Sequence, residues 1–194
     1  MKLFDDDKLN EALTLLESRI RTSDGAPIEI VVCGGSALIT TKLVSRTTKD
    51  VDILALKDDS GLFDPDPMPA FLIDAAAVVS NTLNLPEDWL NIGPADLFRM
   101  GLPKDFESRL IERSFGTHLT VHFIGRLDQI HFKLYASVDR GGYHIEDLLA
   151  LNPSNNELLM AAKWTQTHDV SEEHTMLLKD MLTQLGWGNV ASKL

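Results

Sequence analysis

Apolar residues near the start of the chain recur at helical spacing. They stand three or four positions apart and follow an acidic cluster at positions 5–7, which suits a helix N-terminus. The apolar positions are Leu9, Leu13, Leu16 and Ile20. The pattern predicts an amphipathic helix over residues 5–21.

The pattern then changes to that of a buried strand. Residues 28–33 are rich in β-branched side chains and become apolar on both faces toward their end. Gly34 and Gly35 end the strand, Ser36 suits a helix cap, and residues 37–43 have the composition of a short helix. The chain is therefore predicted to run from a strand through a glycine turn into a helix.

A second strand is predicted over residues 50–56. Its first positions alternate acid with hydrophobe and its remainder is apolar, as expected of a strand that enters the core from an exposed end. Asp50 and Asp52 stand two positions apart, so on a strand both carboxylates project from the same face. Two carboxylates on one face are able to bind the same ion.

The rest of the chain contains one further strand pattern and several helical ones. A loop is predicted over residues 57–68, which hold aspartates, a glycine and prolines, and a strand is predicted over residues 119–124. Residues 85–116 show no strong period. Helices are predicted over residues 69–83, 127–138, 145–151, 157–167 and 172–185.

Together these elements predict an α/β (α+β) fold. A small mixed sheet flanked by helices is expected over residues 1–141, and a helical segment packed on it over residues 142–194. A chain of 194 residues is long enough for one sizeable domain with such a helical appendage.

Charge and cysteine content narrow the class of protein. The net charge of −11 repels phosphate backbones, which argues against a protein that coats DNA or RNA, so any nucleic-acid contact is expected to be local. Cys33 is the single cysteine, so an intrachain disulfide and a multi-cysteine zinc site are excluded. The chain start lacks the apolar core of a signal peptide, and no uncharged apolar run approaches the length of a membrane span. The expected location is cytoplasmic.

The glycine turn and the two aspartates supply two requirements of nucleotidyl transfer. Gly34 and Gly35 let the backbone approach phosphate oxygens, the amides that open the next helix point toward an anion, and Ser36 adds a hydroxyl. Asp50 and Asp52 are oxygen ligands of the kind that Mg²⁺ prefers, with Mn²⁺ as the alternative ion. Each motif alone has a simpler interpretation, a tight turn or a solvated strand start.

Taken together, the two motifs resemble the signature of the nucleotidyltransferase superfamily. That signature is a hydrophobic residue, Gly-Gly or Gly-Ser, a spacer, and then Asp-hydrophobic-Asp. The chain has Cys-Gly-Gly-Ser-Ala at 33–37 and Thr-Thr-Lys-Asp-Val-Asp-Ile at 47–53. With Arg46 and Thr48, it is similar to the bacterial AbiEii-type toxin nucleotidyltransferases and their uncharacterised relatives.

Looser similarity to those relatives continues along the chain. It involves Leu-Pro-Glu-Asp-Trp-Leu-Asn at 85–91, Lys-Leu-Tyr-Ala at 133–136, Asp-Arg at 139–140 and Glu-Asp-Leu at 146–148. The resemblance implies that Lys133 faces the nucleotide phosphates and that Arg140 and Asp147 flank the pocket. A solvated lysine and an Arg140–Asp147 ion pair are the structural alternatives.

The sequence allows more than one role for Arg46 and does not identify the third acid of the site. Arg46 aims at the triphosphate or pairs with one of the two aspartates. Catalytic members of the superfamily usually carry a third acid on a later strand, where this chain has His122, a possible base that binds Mg²⁺ poorly. Asp128 and Asp139 are substitutes if the fold brings them close, and His122 is alternatively a strand histidine satisfied by a neighbour.

The resemblance implies an enzyme that transfers a nucleoside monophosphate from a nucleoside triphosphate to a hydroxyl. The expected acceptor is an RNA end or a protein, and the expected context is a toxin–antitoxin or phage-defence pair with an antitoxin partner. The alternative is a catalytically impaired module that binds nucleotide or serves as an assembly subunit.

Overall fold

The first helix begins where the acidic cluster predicts a helix N-terminus. In the computed structural model, which describes residues 4–194, α1 spans Asp6–Thr22. Asp5 is its N-cap, and its carboxylate accepts a hydrogen bond from the Lys8 backbone N–H at 2.9 Å. The apolar stripe of this helix is fully buried. The predicted amphipathic helix is confirmed.

The chain divides into two compact units. The first ends at Gly125, and the second comprises Arg126–Leu194. The predicted division after residue 141 lies further along the chain, inside the second unit. That residues 1–141 form a nucleotidyltransferase-like domain, with residues 142–194 as a helical segment packed on it, stays a prediction.

The first unit contains a six-stranded mixed sheet. The strands follow the order β3-β2-β1-β6-β5, and β4 pairs with β2. The central pair β1 and β2 is antiparallel, whereas β1 and β6 are parallel. The strands are β1 (Ile28–Cys33), β2 (Val51–Asp58), β3 (Gly61–Phe63), β4 (Leu90–Asn91), β5 (Ile111–Ser114) and β6 (Leu119–Phe123). The mixed α/β fold predicted from the sequence is confirmed.

Burial on both faces explains why β1 and β2 read as apolar runs. Ile30, Val32, Ile53 and Leu54 are fully buried. Each such side chain contributes about 1.5–3 kcal/mol when it is removed from water. This packing fixes the two strands against each other, and the ends of these strands carry the glycine turn and Asp52.

Helices accompany the sheet and make up the second unit. Within the first unit, α3 packs against α1, and within the second unit α5 packs against α6 and α7. No helix in the described residues combines the length and the apolar character needed to cross a bilayer. The first unit adds α2 (Gly34–Thr40), α3 (Ala70–Leu83), α4 (Ala95–Met100) and a 3₁₀ turn (Phe106–Arg109). The second unit has α5 (Arg126–Arg140), α6 (Tyr143–Ala150), α7 (Asn155–His168), α8 (Glu172–Gln184) and α9 (Gly188–Ala191).

The segment predicted as a loop over residues 57–68 is partly strand. β2 continues through Asp58, and β3 returns from Gly61 to Phe63. The Asp58 carboxylate accepts hydrogen bonds from the Ser60 backbone N–H at 2.8 Å and from its hydroxyl. An aspartate that accepts hydrogen bonds from its own turn stabilises a tight hairpin. The acidic residues therefore indicate the turn correctly, but the loop predicted from them wrongly included the strand residues on both sides.

The second unit is stabilised at the start of α7 by a capping box. The Ser154 hydroxyl accepts a hydrogen bond from the Glu157 N–H, and the Glu157 carboxylate accepts one from the Ser154 N–H. The Arg126 guanidinium also donates to Glu157 at 2.6 Å and lowers the pKa of that carboxyl to about 2. The C-terminal helical segment predicted from the sequence is confirmed.

Candidate functional site

The glycine turn after β1 lies directly beside Asp52. Cys33 and Asp52 are paired across the antiparallel strands. Gly34 follows with φ +70°, a backbone conformation that other residues rarely adopt. A Cβ atom at Gly34 would collide with the Asp52 carboxylate. The backbone angle therefore favours glycine here, and a side chain at this position would also displace the Asp52 carboxylate.

A β-bulge sets this pairing. Val31 lies opposite Ala55, but Val32 lies opposite Ile53, so Leu54 is passed over. Without this shift, the residue opposite Cys33 would be Ile53. The bulge thus brings an acid, in place of a hydrophobic residue, to the glycine turn.

The second glycine packs against the segment that precedes β2. A Cβ atom at Gly35 would lie 2.5 Å from the Thr48 hydroxyl oxygen and 3.2 Å from Nη2 of Arg46. Nη1 of Arg46 donates a hydrogen bond to the Thr47 carbonyl at 2.8 Å. The arginine guanidinium is therefore held at the glycine turn.

Asp50 lies just outside β2, which begins at Val51. The predicted strand was thus one residue too long at this end, and strand alternation does not orient both aspartates. Instead, the Thr48 hydroxyl donates a hydrogen bond to Oδ1 of Asp50 at 3.2 Å. Because Thr48 also touches Gly35, the same threonine links Asp50 to the glycine turn.

Ser36 faces the interior. The α2 helix begins at Gly34 with Cys33 as its N-cap, so Ser36 is not the cap that the sequence suggested. Its side chain is fully buried, and its hydroxyl donates to the Cys33 carbonyl at 3.3 Å. A phosphate contact by Ser36 requires this hydroxyl to turn away from Cys33, and such a contact stays a prediction.

His122 is buried in β6 and paired with a carboxylate. Its Nε2 lies 2.7 Å from Oε2 of Glu29, and its side chain is 4% exposed. Lys57 lies 3.6 Å from the same Glu29 oxygen. The neighbour that satisfies His122 is therefore Glu29, which sequence reasoning had not singled out. Glu29 is the lone acid in a buried strand, and that is the signal that could have identified it.

The second unit contains a buried ion pair between two of the predicted residues. Lys133 Nζ lies 2.8 Å from Oδ2 of Asp147, and the side chains are 6% and 3% exposed. Lys133 is therefore not a solvated surface charge. Asp147 is thus paired with Lys133, whereas Nε of Arg140 lies 3.1 Å from Oδ2 of Asp139. A contact between Lys133 and a phosphate stays a prediction.

The two aspartates are not part of a larger ligand cluster. Among residues 4–194, no group of three or more His, Cys, Asp or Glu side chains is arranged to hold a metal ion. Asp128, a predicted substitute for the third acid, lies fully buried in α5. Asp139, the other substitute, is exposed.

Replacing Gly34 by alanine tests the contact between the turn and Asp52. We expect the free energy of unfolding to fall by about 2 kcal/mol, since the left-handed backbone and the collision with Asp52 both add cost. Gly141→Ala is the matched control, because Gly141 has φ +61° but open space around its Cβ position. Its loss should be about 1 kcal/mol, from backbone strain alone. Equal losses in urea denaturation would contradict the close approach of Asp52.

The residues of the glycine turn and both aspartates lie within a segment that matches a known protein family. A family model described as a nucleotidyltransferase of unknown function (DUF6036) matches residues 8–92. This span contains the glycine turn, Arg46, Thr48 and both aspartates. No match was found among curated proteins or among solved structures. The family match supports a nucleotidyltransferase-like assignment within the superfamily.

Proposed function

We propose that the protein transfers a nucleoside monophosphate from a nucleoside triphosphate to a hydroxyl acceptor and releases pyrophosphate. The observation that carries this proposal is the contact of the glycine turn with Asp52, with Arg46 and Thr48 packed on the next glycine. Groups that suit a triphosphate and groups that suit a divalent ion thus share one place in the first unit. The family match to residues 8–92 supports the same reaction class.

The donor set at this place fits Mg²⁺ or Mn²⁺. Asp50 and Asp52 provide hard carboxylate oxygens, and Mg²⁺ commonly takes one or two protein carboxylates together with substrate phosphates and water. When bound, such an ion neutralises phosphate charge and polarises the phosphorus under attack. The two aspartates would hold the ion, and Thr48 keeps one of them in place.

The remaining residues have the following roles in the proposal. Gly34 and Gly35 leave the backbone accessible to phosphate oxygens, and the Arg46 guanidinium offsets their charge. Ser36 offers a hydroxyl if it turns from Cys33. His122, whose Nε2 lies 2.7 Å from Oε2 of Glu29, is the candidate base in this proposal.

Residues of the second unit enter the proposal through the family resemblance. Lys133 would contact the phosphates, and Arg140 and Asp147 would flank them. Because Lys133 is paired with Asp147, such a contact means that a phosphate oxygen shares or replaces this carboxylate.

The proposed acceptor, partner and location follow from the similarity to AbiEii-type toxins. The segment Arg-Thr-Thr-Lys-Asp-Val-Asp at 46–52 supports it. In this proposal the acceptor is an RNA end or a protein, an antitoxin is the partner, and the protein acts in the cytoplasm. The charge of −11 favours a small acceptor surface over an extended RNA interface.

A nucleotide-binding module without turnover is the second candidate. It is favoured by the engagement of His122 with Glu29, in the strand where superfamily enzymes carry a third acid. A fold that holds a triphosphate without activating an acceptor could act as a sensor or an assembly subunit.

Separate measurements of binding and turnover test the proposal. We expect each of the four nucleoside triphosphates, or a subset of them, to raise the thermal unfolding midpoint only when Mg²⁺ is present. Transfer is followed with α-labelled nucleotides and total RNA or cell protein as acceptors. Binding without transfer favours the module, and the absence of any Mg²⁺-dependent stabilisation contradicts both candidates.

A further inference from the structure

We infer that Thr48 is a positioning residue that fixes Asp50 against the glycine turn, and this inference rests on the proposed function. The short side chain of Thr48 contacts both Asp50 and Gly35. Its hydroxyl donates to Asp50 at 3.2 Å, and its Oγ1 and Cβ press on Gly35, 2.5 and 2.9 Å from the position of an added Cβ.

The backbone of Thr48 is fixed from the other side by Phe4. The Phe4 N–H donates to the Thr48 carbonyl at 2.7 Å, and the Thr48 N–H donates to the Phe4 carbonyl at 2.9 Å. Thr48 is 7% exposed and Phe4 is fully buried. The threonine therefore has little freedom to move when a ligand approaches.

The same support reaches the strand that carries Asp52. The Phe4 ring lies 5.8 Å from the Trp89 ring, centroid to centroid. The Trp89 carbonyl accepts a hydrogen bond from the Val51 N–H, and the Trp89 indole donates to the Ala76 carbonyl at 3.0 Å. Val51 stands between the two aspartates, so one buried assembly holds the backbone around both of them.

The Thr48 hydroxyl orients the Asp50 carboxylate. Asp50 lies outside β2 and lacks the restraint of strand pairing, so its carboxylate depends on a local donor for orientation. Threonine is β-branched and restricted at χ1, which keeps the hydroxyl aimed at the acid. Hydrogen bonds that orient metal-binding carboxylates typically change metal affinity by 10–100-fold when they are lost.

The test compares Thr48→Val, which keeps the shape and removes the hydroxyl, with Thr48→Ser, which keeps the hydroxyl. We expect Thr48→Val to raise the Mg²⁺ concentration for half-maximal nucleotide binding at least about 10-fold. Thr48→Ser should stay within about threefold of wild type. Thr82→Val is the matched control, because the exposed Thr82 hydroxyl bonds only within its helix, and it should leave the Mg²⁺ dependence unchanged.

Each outcome decides the inference. A loss confined to Thr48→Val, with thermal unfolding near wild type, supports positioning. Unchanged Mg²⁺ dependence overturns it, as does an equal loss in both Thr48 variants that follows their thermal stability. If the wild type shows no Mg²⁺-dependent nucleotide binding, the proposed function itself fails. If the wild type binds and Asp52→Asn does not, a normal Thr48→Val variant overturns the role of Thr48 alone.

Discussion

Asp52→Asn should reduce nucleotidyl transfer by about a hundredfold or more while the protein stays folded. The amide has almost the shape of the carboxylate, so its packing against Gly34 is kept. It lacks the negative charge that holds a divalent ion, and metal coordination contributes several kcal/mol to transition-state stabilisation. The measurement is label transfer from an α-labelled nucleoside triphosphate at saturating Mg²⁺, with circular dichroism to verify the fold.

Asp58→Asn is the matched control for this prediction. Asp58 ends the same strand, is exposed, and bonds to Ser60 in the hairpin turn. Its substitution should leave transfer within about twofold of wild type, because surface changes away from a site usually have small effects. Transfer that survives Asp52→Asn, or that falls equally in both variants, would show that Asp52 is not a ligand of the catalytic ion.

Lys133→Met should lower the free energy of unfolding by about 3–5 kcal/mol. The substitution leaves the Asp147 carboxylate buried without the ammonium that lies 2.8 Å from it. An unpaired buried charge costs far more than the pair contributes, because the desolvation penalty is no longer offset. Urea denaturation followed by tryptophan fluorescence measures the effect, since Trp164 packs on Phe132 in the same unit.

Two variants separate the ion pair from other causes. Lys163→Met changes an exposed lysine of α7 and should cost less than about 0.5 kcal/mol. The double variant Lys133→Met with Asp147→Leu should recover most of the lost stability, because an apolar pair often replaces a buried ion pair at little cost. A small loss in Lys133→Met alone would mean that Lys133 is accessible to solvent, and would favour the solvated lysine considered from the sequence.

Asp52 and Thr48 test the proposed chemistry of the first unit, where the family match lies. Lys133 tests a structural pair of the second unit, whose role toward phosphate is proposed only from resemblance. A stable Lys133→Arg variant with weakened nucleotide binding would support that role, since arginine keeps the charge and changes the geometry.

The sequence by itself determined the strands β1, β2 and β6 and the longer helices, in their correct order. Residues 30–33 favour a buried strand, because a mostly β-branched segment that is apolar on both faces needs cover on both sides. The glycine pair ends this strand, and Val51 and Asp52 begin the next one at its exposed end. These elements depend on residues that are close in sequence, so the local pattern predicts them.

Only the tertiary structure decided which of these residues touch. The bulge at Leu54, opposite Val31 and Val32, makes Asp52 the partner of Cys33 in place of Ile53. The Phe4 backbone holds Thr48, which in turn holds Asp50. Lys133 forms an ion pair with Asp147, and Arg140 forms one with Asp139. These contacts depend on strand register and on packing between segments that are distant in sequence. Neither can be predicted from the charge or the periodicity of the chain.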